Sequence, residues 1–188
     1  GAASDVTVTV SRTGWVTASA SLSGSAAGAD LSTGTQDIAA NLLTGKALTA
    51  LCAGGSPSSE GIANINDRNS KSKFLCYNAT SRNNSSYIRE SAGFYTGDLG
   101  SVILTGVQFT SGDSNSSRDP IIYSLFGCLS ENNNCVPIVV NGRTGISAAR
   151  NVTGSEQSFR NTTPFNYYKI TFGALRSSWT DASQMSEV

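Results

Sequence analysis

The sequence predicts an all-β protein of the sandwich kind, and three observations carry that expectation. Short apolar segments recur about every ten residues, separated by Gly, Asn and Ser turns. Several of them alternate on a two-residue period, most strictly Asp5-Val6-Thr7-Val8-Thr9-Val10-Ser11. One segment alone has helical spacing. With 188 residues, 38% of them hydrophobic, the chain is long enough to bury a core of its own.

Taken in order, residues 5–11 and 15–22 read as strands. Successive strand side chains point to opposite faces, so Val6, Val8 and Val10 form one apolar edge. Residues 24–34 are a linker of small residues, with Gly24-Ser25-Ala26-Ala27-Gly28 as a hinge. Thr35 to Leu43 is the helix: Ile38 and Leu42 are four apart, Ala39 and Leu43 repeat the spacing, and Gly45 is the stop. Strands follow at 47–53, 73–77, 87–95, 101–110, 121–129, 136–140 and 165–172. Gly106 breaks the phase of the fourth of these, which points to a bulge. Residues 121–129 lack clean alternation, as a strand buried on both faces would. Asn141-Gly142 is a turn signal leading into Ile146. Residues 176–188 read as a loose polar tail. The expected division is therefore a strand extension at 1–23, a linker at 24–34, a sandwich at 35–175 and a tail at 176–188.

Charged residues make up only 14% of the chain, against about 25% in ordinary soluble domains, and the formal net charge is zero. Nucleic-acid binding needs clustered Lys and Arg, and this chain does not supply them. No apolar run approaches the ~20 residues of a membrane span. Histidine is absent, which removes the commonest general base and the commonest transition-metal ligand together.

The four cysteines are Cys52, Cys76, Cys128 and Cys135. An even count in such a chain suggests an oxidising, extracellular setting. Three pairings are possible. Nearness in sequence favours Cys52–Cys76 and Cys128–Cys135, the second across a Glu131-Asn132-Asn133-Asn134 turn. Asn78, Asn83, Asn84, Asn115, Asn151 and Asn161 begin glycosylation sequons in polar stretches that read as loop.

Catalysis finds little support. Ser70 and Lys73 have a Ser-x-x-Lys spacing, but in a polar loop rather than at a strand–helix junction. Asp67, Glu90, Asp98 and Asp113 are the carboxylates that a glycosidase would draw on, and they are scattered through loops. Calcium has two oxygen-rich stretches, Asp113-Ser114-Asn115-Ser116 with Asp119, and Asn64 with Asn66 and Asp67. Neither has the glycine and closing glutamate of an EF-hand, and turn chemistry explains both. The expectation is no enzyme, no cofactor and no metal. Sugar binding draws on Trp15, Trp179, Tyr77, Tyr87, Tyr95, Tyr167 and Tyr168 as stacking surfaces. Among these, Tyr167 is opposite in phase to Tyr168 and Ile170, which puts it on an outer face.

The N-terminal strand, its linker and the all-β body resemble subunits of donor-strand-complemented filaments, the chaperone–usher fimbriae and the archaeal threads. In such filaments a neighbour's strand fills an apolar groove and satisfies an open sheet edge. The resemblance implies an Ig-like, pilin-like sandwich with one short helix. It also implies donation of Val6, Val8 and Val10, a homopolymer on the cell surface, and an adhesive role toward glycans. The alternative is a secreted carbohydrate-binding domain. Against donation stands a plain hairpin, turned at Arg12-Thr13-Gly14 and packed on its own domain.

Overall fold

The computed structural model describes residues 6–9 and 18–22 as backbone, and residues 42–77, 92–131, 133–177, 180 and 182–188 with their side chains. The strands are β1 (Val6–Thr9), β2 (Ala18–Leu22), β3 (Leu48–Cys52), β4 (Phe74–Tyr77), β5 (Ala92–Thr96) and β6 (Ile103–Leu104). They continue with β7 (Gly106–Val107), β8 (Ile122–Ser130), β9 (Asn133–Arg143), β10 (Gln157–Ser158), β11 (Tyr167–Phe172) and β12 (Ala182–Met185). Two single-turn 3-10 segments, Ile62–Ile65 and Ser116–Arg118, are the helical content of the described residues.

The large layer is an antiparallel sheet in the order β3-β5-β11-β8-β9. The facing layer is assembled from three small pieces, β1-β2-β6, β10-β7 and β12-β4. The stretch that follows β7 joins them, because Thr110 bridges both Thr153 and Glu187. Between the layers lie Phe94, Leu125, Tyr123, Tyr168, Ile170 and Phe172 from the large sheet, with Phe74, Leu104, Val107, Phe109 and Met185 from the other. Phe109 is fully buried, with its ring centroid 4.9 Å from that of Tyr123 and 6.3 Å from that of Phe172. The Cys52–Cys76 disulfide ties the edge strand β3 to β4 of the facing layer, and Cys128–Cys135 joins directly opposed residues of β8 and β9.

The N-terminal alternation forms a strand, but its partners are internal. Val6 pairs with Leu22 and Thr9 with Ser19, and β2 continues onto β6 through Ala18 and Leu104. Val6 and Val8 are therefore part of a hairpin in their own domain rather than a donated strand; Val10 lies outside the described residues. A hairpin satisfies the ladder hydrogen bonds locally, so no neighbour is needed to complete that pairing. The linker, residues 35–41 of the expected helix, Trp15, Tyr87, Glu90, Trp179 and the sequons at Asn78, Asn83 and Asn84 also lie outside the described residues. Leu42 and Leu43, the end of that helix, lie in a turn through Gly45.

Two further expectations need correction. Asn141-Gly142 is not a hairpin turn. It sits inside β9, where Asn141 adopts a φ of 56° and the β8–β9 register slips near Tyr123. The positive φ serves a bulge, and the chain reverses earlier, at Glu131. Nor is 176–188 a loose tail. All four residues of β12 are buried and pair with β4, from Ala182 opposite Tyr77 to Met185 opposite Phe74. The long polar side chain of Gln184 is tolerated there because it is bonded: it donates to the Asn115 carbonyl and the Asp119 carboxylate and accepts from Ser114.

Next to β12, Glu187 shares the backbone N–H of Asn69 with Asp67, each carboxylate accepting at 2.8 Å. Burial first, then the bond to Asp67 and its charge, push Glu187 up to about 7. The folded protein thus holds a proton that the unfolded chain, with an ordinary Glu value of 4.5, has released. Its contribution to stability is present at low pH and is lost as pH rises through about 7. Melting curves of the wild type and Glu187→Gln between pH 4.5 and 8 are expected to converge toward the acid end and diverge at neutral pH, with the variant the less pH-sensitive. Parallel curves would refute the shared proton.

Candidate functional site

Pairing register decides which side chains share a face. Ile170, Phe94 and Leu125 are direct partners across three strands and point into the core. Their neighbours therefore point outward. Thr49 on β3 pairs with Tyr95 on β5, Tyr95 with Lys169 on β11, Lys169 with Phe126 on β8, and Phe126 with Pro137 on β9. This makes one row across all five strands on the outer face. Its ends, Thr49 and Pro137, are exposed, Tyr95 and Phe126 are half-buried, and Lys169 at the centre is 9% exposed. The row is thus a shallow trough.

The Lys169 ammonium lies 5.6 Å from the Tyr95 ring centroid and 5.1 Å from that of Phe126, within cation–π range of both. It lies over both rings and holds them in place. Tyr167, two residues along β11, projects on the same side as Lys169 and pairs with Cys128, next to the disulfide. The result is an outward group of three aromatic residues, with one ammonium shared by two of their rings. Such a surface suits an amphipathic ligand with flat C–H faces and peripheral hydroxyls.

The other expected stacking residues are dispersed. Tyr168 is buried: its hydroxyl donates to the Val102 carbonyl at 2.5 Å, accepts from the Leu104 amide at 3.3 Å, and its ring meets Phe165 edge-on. Burial pushes its phenol above the usual value. Tyr77 is exposed at the end of β4, away from the row.

The polar clusters are structural. Asp119 is fully buried and accepts from both terminal nitrogens of Arg150 and, at 3.0 Å, from Gln184. It pins together the loops before β8 and after β9. Lys73 is buried between Glu60 at 2.9 Å and Asp113 at 2.6 Å. Burial pulls its pKa down, but the bonds to the two carboxylates outweigh this and leave it above the ordinary lysine value. A lysine held in its charged form is no base for Ser70. Asp98 accepts from the Gly100 amide and from Asn166 within a turn. Asn64 donates to the carbonyls of Ser59 and Lys73, and Asn66 to those of Leu43 and Lys46. Among the described residues no three His, Cys, Asp or Glu side chains gather as a metal site, and no helix is long and apolar enough to cross a membrane.

Of the sequons described, Asn115 and Asn151 are exposed, Asn115 capping the Ser116–Arg118 turn by accepting from Ser117. Asn161 is half-buried, its side-chain amide donating to the Thr163 carbonyl.

No protein-family model matches the chain, and no curated protein matches it in sequence. Solved structures do match in shape. A family 32 carbohydrate-binding module from Clostridium perfringens NanJ, in complex with galactose, superposes with a TM-score of 0.53 at 12% identity, over 76% of this chain and 90% of that one. Chitosan-binding module 1 of a chitosanase/glucanase from Paenibacillus sp. IK-5 gives 0.52 at 12% identity, over 78% and 94%. The C. perfringens module CpGH89CBM32-5, in complex with GalNAc-β-1,3-galactose, gives 0.52 at 14%, over 76% and 91%. The chain has the fold of these modules. The filament resemblance, and with it the pilin, fimbrium, adhesion and donor-strand readings, is corrected accordingly: the neighbours in shape are carbohydrate-binding modules, and β1 pairs at home. The sandwich class itself stands.

Sequence reasoning reached Tyr95 and Tyr167 but missed Phe126 and Lys169. The first lies in an apolar run without alternation, and the second reads as a solvated charge. The signal that finds them is register across three strands.

Proposed function

We propose that this chain is a carbohydrate-binding β-sandwich domain that binds sugars without transforming them. The observation that carries the reading is the outward row of Tyr95, Lys169 and Phe126 with Tyr167 beside it. Sugar rings present C–H faces that stack on aromatic side chains. The likeness to modules solved with galactose and with GalNAc-β-1,3-galactose supports the reading. The disulfides support a place outside the cytoplasm, where such ligands are met. Of the carboxylates that a hydrolase would draw on, Asp67, Asp98 and Asp113 are engaged in turns and ion pairs, which supports binding over catalysis.

The test is glycan-array screening followed by calorimetry on the best ligand. Tyr95→Ala with Phe126→Ala is expected to abolish measurable binding while the far-ultraviolet circular dichroism stays that of the wild type. Failure of the wild type to bind any glycan on a broad array would sink the proposal.

A further inference from the structure

We infer that the row takes an extended, β-linked glycan chain laid across the strands, with alternate sugars seated on Tyr95 and Phe126. The inference rests on the carbohydrate-binding reading and adds to it the shape of the ligand. Tyr95 and Phe126 are carried by β5 and β8, with β11 between them. Neighbouring strands lie about 4.8 Å apart, so the two rings rise from backbones roughly 10 Å apart. A disaccharide repeat of an extended β-linked chain spans that distance. In such a chain every second sugar turns the same face downward, so two stacking rings serve two sugars with one bridging sugar between.

Lys169 stands under that bridging sugar, midway between the rings. The row does not end at the rings. Thr49 and Pro137, both exposed, extend it to the two edges of the sheet. Five strands give four spacings, about 19 Å in all. The occupant that fits that length is a stretch of about four sugars. Loss of one of two stacking points on a linear ligand costs the second contact and the benefit of linkage together.

The experiment is calorimetric titration of the full chain with glucose, cellobiose, cellotetraose and cellohexaose, and with the N-acetylglucosamine series of the same lengths. In at least one series, affinity is expected to rise from the monosaccharide to the tetramer and to level off at the hexamer. Tyr95→Ala and Phe126→Ala are each expected to weaken the hexamer about tenfold or more and to flatten the length dependence. Tyr95→Phe, which keeps the ring, is expected to bind as the wild type does, and this separates loss of stacking from loss of fold. Equal affinity for the monomer and the hexamer, or hexamer binding unchanged in both alanine variants, would overturn the inference. Glycan binding that survives the loss of both rings would overturn it as well, while leaving a carbohydrate-binding function at some other surface. The absence of any glycan ligand would remove the function itself.

Discussion

Asp119→Ala is expected to cost about 3–5 kcal/mol of unfolding free energy, the range seen when one partner of a buried ion pair is removed. The carboxylate is fully buried, and three donors converge on it from two separate segments: two from Arg150 and one from Gln184 of β12. Its backbone is committed too, the carbonyl accepting from Arg176 at 2.9 Å and the amide donating to Ser116 at 3.1 Å. Alanine leaves the partly buried Arg150 guanidinium without its counter-charge and the buried Gln184 amide with the Asn115 carbonyl as its remaining acceptor. The loops before β8 and after β9 lose their common anchor. For a chain of this length the midpoint should fall on the order of 10 °C. Urea unfolding of the wild type, Asp119→Ala and Asp119→Asn checks this, with asparagine intermediate because it keeps an acceptor oxygen but not the charge. A loss under about 1 kcal/mol for alanine would show that the pair behaves as a surface ion pair.

Gly93→Ala is expected to be comparably damaging, for a steric reason. Gly93 has a φ of 152°, which side-chain-bearing L-residues rarely adopt, and it faces β11. A Cβ there would stand 2.1 Å from the Ile170 carbonyl oxygen and 2.9 Å from the Thr171 Cα. Both are backbone atoms in the middle of the sheet, so no flexible side chain can give way. Overpacking costs about 1–3 kcal/mol, and the unsuitable backbone conformation adds about 1–2 more. Gly55→Ala is the control: φ is 75°, but nothing lies within 4 Å of the added methyl. It should show the conformational cost alone. Equal stability losses for the two variants would refute the steric account.

The fold class was legible because period-two alternation and Gly/Asn turn chemistry are local properties. β3, β4, β8 and β11 lie close to where that pattern put them. What escaped was set by distant partners. β12 reads as polar, yet it is buried because Gln184 is bonded on both sides. The alternation at residues 5–11 reveals one apolar face but not which sheet receives it. Asn141-Gly142 announces a positive φ, and a bulge uses that conformation as readily as a turn does. The candidate site was the least legible part. Tyr95, Lys169 and Phe126 are far apart in sequence, and no local pattern records that β11 lies between β5 and β8.

The pairing of β4 with β12 also bears on how the chain reaches this state. Phe74 and Met185 meet across more than a hundred residues, and the intervening chain builds most of the large sheet. Closing so long a loop early is entropically costly, so assembly is expected to be slow. During synthesis from the N-terminus, Phe74 and Leu75 emerge long before the strand that covers them. A nascent chain therefore carries an uncovered apolar strand until residues 182–185 leave the ribosome. Chaperone dependence and aggregation during expression should concentrate in that interval, and Cys52–Cys76 is placed to hold β4 against β3 while it lasts.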